Sequence, residues 1–176
     1  ATSYKVYLEN TDTTTVILNG VDVGDIDTYL FDSLDASTNY LWKIKSYNSD
    51  INEESSYSSN QTFITNDPIP DTPTVSSSTS ITYNSFVANW SSETYANSYN
   101  VYVYTDIALT SLFVSYTGIL TNSKSVTGLT ATTDYYTVVE SVNESGVSAK
   151  SAYMLTSTEV ETEERILFMR GTDASV

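Results

Sequence analysis

The chain has 176 residues with no cysteine and no histidine, and it sets 22 Asp plus Glu against seven Lys plus Arg, a formal net charge of −15 at pH 7. Without cysteine there is no disulfide, thiolate metal site or thiol nucleophile, and without histidine no Ser-His-Asp triad, imidazole base or His-ligated zinc. So acidic a chain repels nucleic-acid backbones and anionic membrane surfaces, and no run approaches the roughly 20 apolar residues of a membrane helix.

Fifteen Tyr and many Thr and Val favour strands, and no long helical period appears before the tail. In chain order, the first predicted strand is Tyr4 to Leu8 and the second Thr14 to Leu18. Asp22-Val23-Gly24-Asp25-Ile26-Asp27 follows. Its carboxylates Asp22, Asp25 and Asp27 are candidate Ca²⁺ ligands, but the twelve-residue EF-hand pattern and its bidentate Glu are missing. A solvated turn fits the segment better.

Thr28 to Asp32 reads as a third strand and Tyr40 to Tyr47 as a fourth. In the fourth, Tyr40, Trp42 and Ile44 alternate with Leu41, Lys43 and Lys45, the period of a half-buried strand. Tyr40 stands six residues after Leu34, the spacing of a tyrosine corner, in which the ring packs inward and the hydroxyl bonds back to upstream backbone. Gln61 to Thr65 closes this half, and Pro70-Asp71-Thr72-Pro73 is a linker or the start of an edge strand.

Further strands are expected at Ile81 to Trp90, with Phe86, Ala88 and Trp90 on one face, and at Tyr99 to Tyr104, with Tyr99, Val101 and Val103 on one face. Leu112 to Tyr116, Ser123 to Val126, Tyr135 to Val142 and Val147 to Thr156 complete the series. Tyr102, Tyr104 and Tyr116 fall on an outer face, where they pack across strands or offer rings to a sugar. Asn60, Asn89 and Asn143 stand in N-glycosylation triplets, Asn89 within a predicted strand.

A seven-point pattern ties the halves together. Leu34, Ala36, Thr38, Tyr40, Ile44, Ser46 and Asn48 recur as Leu129, Ala131, Thr133, Tyr135, Val139, Ser141 and Asn143, each 95 residues on. Ser3-Tyr4-Lys5-Val6-Tyr7 recurs at the same offset as Ser98-Tyr99-Asn100-Val101-Tyr102. Two blocks in one register mean two copies of one structural unit. A repeat of this length suits a seven-stranded sandwich of about 100 residues.

The pattern resembles the E–F region of fibronectin type III domains, L-x-P-x-T-x-Y-x-x-x-V-x-A, with Ala36 and Ala131 where the family has Pro. Trp90 matches the family's Trp on strand B. The resemblance implies an all-β chain of tandem immunoglobulin-like β-sandwiches. Residues 1–67 form a partial module running from strand C to strand G, and 68–157 a complete one. The first module lacks strands A and B. The chain is therefore expected to belong to a longer polypeptide that supplies them, with strand donation by a neighbouring subunit as the alternative. The structural residues are Leu34, Tyr40, Trp42, Trp90, Leu129 and Tyr135. The uncovered face is expected to hold Val6, Ile17, Phe31, Trp42 and Ile44.

Residues 158–176 break the pattern. An acidic stretch leads into Ile166-Leu167-Phe168-Met169, four apolar residues expected to contact another domain or subunit. No cofactor other than Ca²⁺ is in view, and no catalytic set can be read from spacing. The resemblance implies a non-catalytic structural or adhesion segment of an extracellular bacterial surface protein or virion appendage, acting as a rigid spacer. Its partners would be flanking domains, other subunits or a surface glycan. An accessory spacer in a larger secreted carbohydrate-active enzyme is the alternative.

Overall fold

The protein is described by a computed structural model over residues 1–162. All its regular elements are strands, paired antiparallel, with no helix among the described residues. The chain divides into two compact units, Ala1–Ile69 with Asn143–Gly146, and Pro70–Val142 with the residues from Val147 onward.

The first unit holds β1 (Ser3–Asn10), β2 (Thr15–Gly24), β3 (Asn39–Asn48), β4 (Glu53–Glu54) and β5 (Gln61–Ile64). They form one sheet with β1 between β2 and β3, and with β4 and β5 both on β3. At the β1–β2 turn the Asn10 Oδ1 accepts the amides of Asp12 and Thr13 at 3.0 and 3.1 Å, an Asx turn. The register between β1 and β2 then slips three times. One slip leaves Ile17 unpaired, between Val16 opposite Glu9 and Leu18 opposite Leu8. Ile17 is thus 45% exposed, off the core face where alternation placed it, and Leu18 takes that side.

β3 sets Ile44 opposite Val6, Trp42 opposite Leu8 and Tyr40 opposite Asn10. Directly opposed residues share a face, so these six form the inner side of the sheet. Leu8 and Tyr40 are buried, whereas Trp42 and Ile44 are only half-buried. No second sheet lies over them among the described residues. Thr28–Asp32, expected as a strand, is irregular chain. Its Phe31 ring lies 6.2 Å from Trp42 and 5.2 Å from Tyr29.

The second unit holds β6 (Val75–Thr79), β7 (Ser85–Trp90), β8 (Ser98–Tyr104), β9 (Leu112–Ile119), β10 (Ser123–Thr127), β11 (Asp134–Asn143), β12 (Gly146–Val147) and β13 (Met154–Ser157). One sheet runs β10-β7-β6; the other runs β12-β11-β8-β9, with β13 also on β11. Phe86, Ala88, Trp90 and Val126 from the first sheet meet Tyr99, Val101, Val103, Tyr135 and Val139 from the second in a closed core. Strands A (β6), B (β7) and E (β10) thus face C′ (β9), C (β8), F (β11) and G (β12 and β13), an immunoglobulin-like sandwich of the fibronectin type III kind. The first unit has C (β1), C′ (β2), F (β3) and G (β4 and β5) of the same plan, with no strand in the places of A and B among the described residues.

The failure of strand E in the first unit has a direct cause. In the second unit β10 hydrogen-bonds to β7 alone. The segment 28–32 stands 95 residues before 123–127 and has no β7 equivalent to pair with among the described residues, so its backbone stays out of any ladder.

Candidate interaction surfaces

The repeated residues build the same corner twice. Tyr40 and Tyr135 are each 1% exposed. The Tyr40 hydroxyl accepts the Asp35 amide at 2.9 Å and the Tyr135 hydroxyl the Thr130 amide at 3.0 Å. Leu129 is buried beside its corner and Leu34 half-buried beside the other. Thr38 and Thr133 give their hydroxyls to the carbonyls of Ala36 and Ala131. Their amides go to the hydroxyls of Thr65 and Thr158 at 3.0 and 2.9 Å.

A second shared device holds the last strand, which is not continuous over 147–156 as expected. Between β12 and β13, Ser148 and Ser151 donate their amides to the carbonyls of Ser141 and Val139. Their hydroxyls accept the amides of those same two residues at 3.0 and 2.9 Å. Ser55 and Ser58 do the same for Ser46 and Ile44. Each serine replaces a ladder carbonyl by its own side chain, so the F strand keeps its bonds while the chain departs from strand geometry.

This departure places Tyr57 and Lys150 at equivalent points on the two outer faces. In the first unit, Lys43 and Lys45 lie 4.9 and 4.8 Å from the Tyr57 ring. Lys43 also sits 4.4 Å from Tyr7, and Lys5 4.0 Å from Tyr47. In the second unit the roles reverse, with Lys150 4.3 Å from Tyr102 and donating to the Tyr104 hydroxyl at 3.0 Å. Lys124 lies 4.5 Å from Tyr116. These are cation–π contacts, and they engage Tyr102 and Tyr104 on the outer face. Tyr116, expected there too, lies opposite Val101, so it faces inward and packs against the core, met by Lys124 of the other sheet.

Glu54 joins Lys5, at 2.6 Å, to Lys45. The bond from Lys45, followed by that from Lys5, holds the Glu54 carboxyl below its ordinary value of 4.5. A carboxylate whose folded pKa is depressed stabilises the fold above its unfolded pKa, and that contribution is lost as pH falls through the folded one. The short β3–β4 pairing, Tyr47 with Glu54 and Asn48 with Glu53, is therefore expected to hold at pH 5 and above and to loosen below 4.5. A carboxyl-carbon NMR titration in which Glu54 ionises at or above 4.5 would contradict this.

The inner face of the first unit carries a recess of about 180 Å³, whose walls include Tyr4, Val6, Val23, Phe31, Trp42 and Ile44. The equivalents of Tyr4, Val6, Phe31 and Ile44 in the second unit are Tyr99, Val101, Val126 and Val139, all buried. Here Tyr4, Phe31 and Ile44 are half-buried.

The candidate Ca²⁺ ligands are not brought together. Asp22 lies in β2, where its Oδ2 accepts the Ser3 hydroxyl and its Oδ1 the Gly24 amide, each at 3.0 Å. Asp25 and Asp27 follow β2 on exposed chain. Among the described residues no three acidic side chains are placed to hold a metal ion. Asn89 of the strand-borne glycosylation triplet donates its amide group to Ser77, Thr79 and Val87. Ile166, Leu167, Phe168 and Met169 lie outside the described residues.

No family model matches the chain, and no curated protein does. Among solved structures, the chicken CNTN1 FN1-FN3 domains are similar with a TM-score of 0.48 and 19% identity, over 89% of this chain and 54% of that one. The FN5 domain of Drosophila Lar is similar with a TM-score of 0.43 and 21% identity, over 53% of this chain and the whole of that one. The chain thus spans about half the length of the CNTN1 structure.

Proposed function

We propose that the chain is a non-catalytic structural and adhesion segment of an extracellular bacterial surface protein or virion appendage. Its sandwich units serve as spacers and present a sheet face to protein or glycan partners. The observation that carries this reading is the outer face of the first sheet. Lys5, Lys43 and Lys45, three of the chain's seven Lys plus Arg, gather there among Tyr7, Tyr47 and Tyr57 in a molecule of net charge −15. Ammonium donors beside aromatic rings suit a polar, ring-shaped or carboxylate-bearing partner. The acidic remainder of the surface opposes non-specific association.

Purified 1–176 is expected to hydrolyse no polysaccharide or peptide. Turnover that a single carboxylate substitution abolishes overturns the non-catalytic reading. The face is tested by binding to an immobilised uronic-acid polysaccharide and to the isolated source surface. Lys43→Glu is expected to weaken whichever binding is seen, since Lys43 sits over two rings and belongs to neither ion pair. Equal binding by wild type and variant removes this face from the reading.

A further inference from the structure

Taking the outer face of the first unit as the binding surface proposed above, we infer that Lys5 and Lys45 form a carboxylate seat on it and that Glu54 occupies this seat as an internal competitor. A uronate carboxylate of an acidic polysaccharide displaces Glu54 when it binds.

Lys5 stands directly opposite Lys45 in the β1–β3 ladder. Like charges in that relation destabilise a sheet. The sandwich plan does not require them. The equivalent positions in the second unit, 95 residues on, are Asn100 and Glu140, and Lys43 corresponds to Val138. The carboxylate that joins the two lysines is equally particular to the first unit. Counted by the serine device, in which Ser55 matches Ser148, Glu54 corresponds to Val147. Three ammonium groups and one bridging carboxylate are thus added to a face that folds without them in the sister unit.

The two sides of the ion pairs are held unequally. The Lys5 Nζ lies 4.0 Å from the Tyr47 ring and the Lys45 Nζ 4.8 Å from the Tyr57 ring. Their side chains are only 21% and 16% exposed. Rings and packed stems therefore fix both ammonium groups, whatever anion stands between them. The Glu54 side chain is the outermost member, 34% exposed. Its backbone is pinned separately, by pairing with Tyr47 and by the Ser55 amide on the Ser46 carbonyl at 3.0 Å. Turning the carboxylate out to water takes a side-chain rotation alone and leaves the ladder intact.

The seat's present occupant is a carboxylate, so a uronate is the matching external group. Lys43 lies over Tyr7 and Tyr57 and has no carboxylate partner among the described residues. It offers a second charge, with rings beside it for the pyranose of the same polymer. The chain's net charge of −15 opposes a polyanion at long range. At physiological salt, charges further off than about 8 Å are largely screened, so contact with the seat decides.

The test is an NMR titration of 1–176 with oligogalacturonate at neutral pH and physiological salt. Glu54→Gln keeps the shape of the side chain and removes the competing charge. It is expected to bind about two- to five-fold more tightly than wild type, the range of a surface ion pair. The gain is expected to be absent with an uncharged galactan, and to be cancelled when Lys45→Gln is added to Glu54→Gln. Glu53→Gln removes the same charge from the neighbouring residue, which joins no lysine among the described residues, and is expected to give a smaller gain. In wild type the Glu54 carboxyl-carbon signal is expected to move toward that of an unpaired glutamate as ligand is added. Binding that Lys43→Glu weakens but Glu54→Gln leaves unchanged overturns the seat and leaves the reading of the face standing. A gain from Glu53→Gln as large as that from Glu54→Gln also overturns it, because net charge then governs binding. So does the absence of oligogalacturonate binding by both wild type and Glu54→Gln; if the source surface is still bound through Lys43, the partner is then a protein.

Discussion

Trp90→Ala is expected to destabilise the second unit by about 3–5 kcal/mol, the range for truncating a buried large aromatic. Trp90 is 5% exposed and packs on Tyr99 between the two sheets. It ends β7, which is held on both sides, by β6 and by β10. A strand fixed on two sides cannot collapse into the space left by the indole, so the cavity persists beneath Tyr99. The indole Nε1 is buried with no protein acceptor among the described residues. Trp90→Phe therefore keeps most of the packing and removes a donor without a protein partner, and its loss is expected to be much smaller than that of the alanine variant. Hydrogen exchange at Val101 and Val139, followed through a denaturant series, reports the second unit separately from the first. An alanine loss below about 1 kcal/mol would refute this role, since that is less than a buried side chain of this size contributes.

The residues that declared the fold are those whose role is repeated. Tyr40 and Tyr135 have the same ring burial and the same backbone bond, so they kept the same spacing to a leucine in both halves. Strand alternation was readable for β7 and β8, where both sides of the pattern are filled by one closed core. It misled at Ile17, because a β-bulge shifts every later residue of a strand to the opposite face and leaves no local mark on composition. It misled again at Thr28–Asp32. Those residues have a strand's pattern, but a strand is stable only with a neighbour, and among the described residues none pairs with them.

The serine and outer-face devices were missed for a different reason. Ser55 and Ser58 correspond to Ser148 and Ser151 at an offset of 93, as Thr65 does to Thr158, because the loop after strand F is two residues longer in the first unit. A comparison locked at 95 passes over them. Resetting the register after Asn48 and Asn143 brings out the shared Ser-x-x-Ser. It also aligns Tyr57 with Lys150, the pair whose inversion exchanges ring for cation on the outer face. The acidic cluster at Asp22, Asp25 and Asp27 illustrates the opposite error: close spacing in sequence does not converge once one member is committed to Ser3 and Gly24.

Substitution at Tyr135 separates the two functions of the corner. Tyr135→Ala is expected to cost about 3–5 kcal/mol, because a buried aromatic ring is lost from between Phe86 and Phe113, at 6.4 and 5.3 Å. Tyr135→Phe keeps the ring and deletes only the acceptor of the Thr130 amide. The net value of such a bond is about 0.5–1.5 kcal/mol, and Thr130 is itself exposed, so its amide can turn to water. The phenylalanine variant should therefore retain most of the stability, with faster amide exchange confined to Thr130 and its neighbours. In the first unit the Tyr40 ring stacks on Phe63 at 5.4 Å, and among the described residues no second sheet lies over the face it belongs to. Its alanine variant has less closed packing to lose, so the same substitution is expected to destabilise the first unit less than the second. An alanine loss at Tyr40 equal to that at Tyr135 would show that the first unit's core is as closed as the second's. A phenylalanine loss at Tyr135 as large as the alanine loss would show that the hydroxyl, and not the ring, holds the corner.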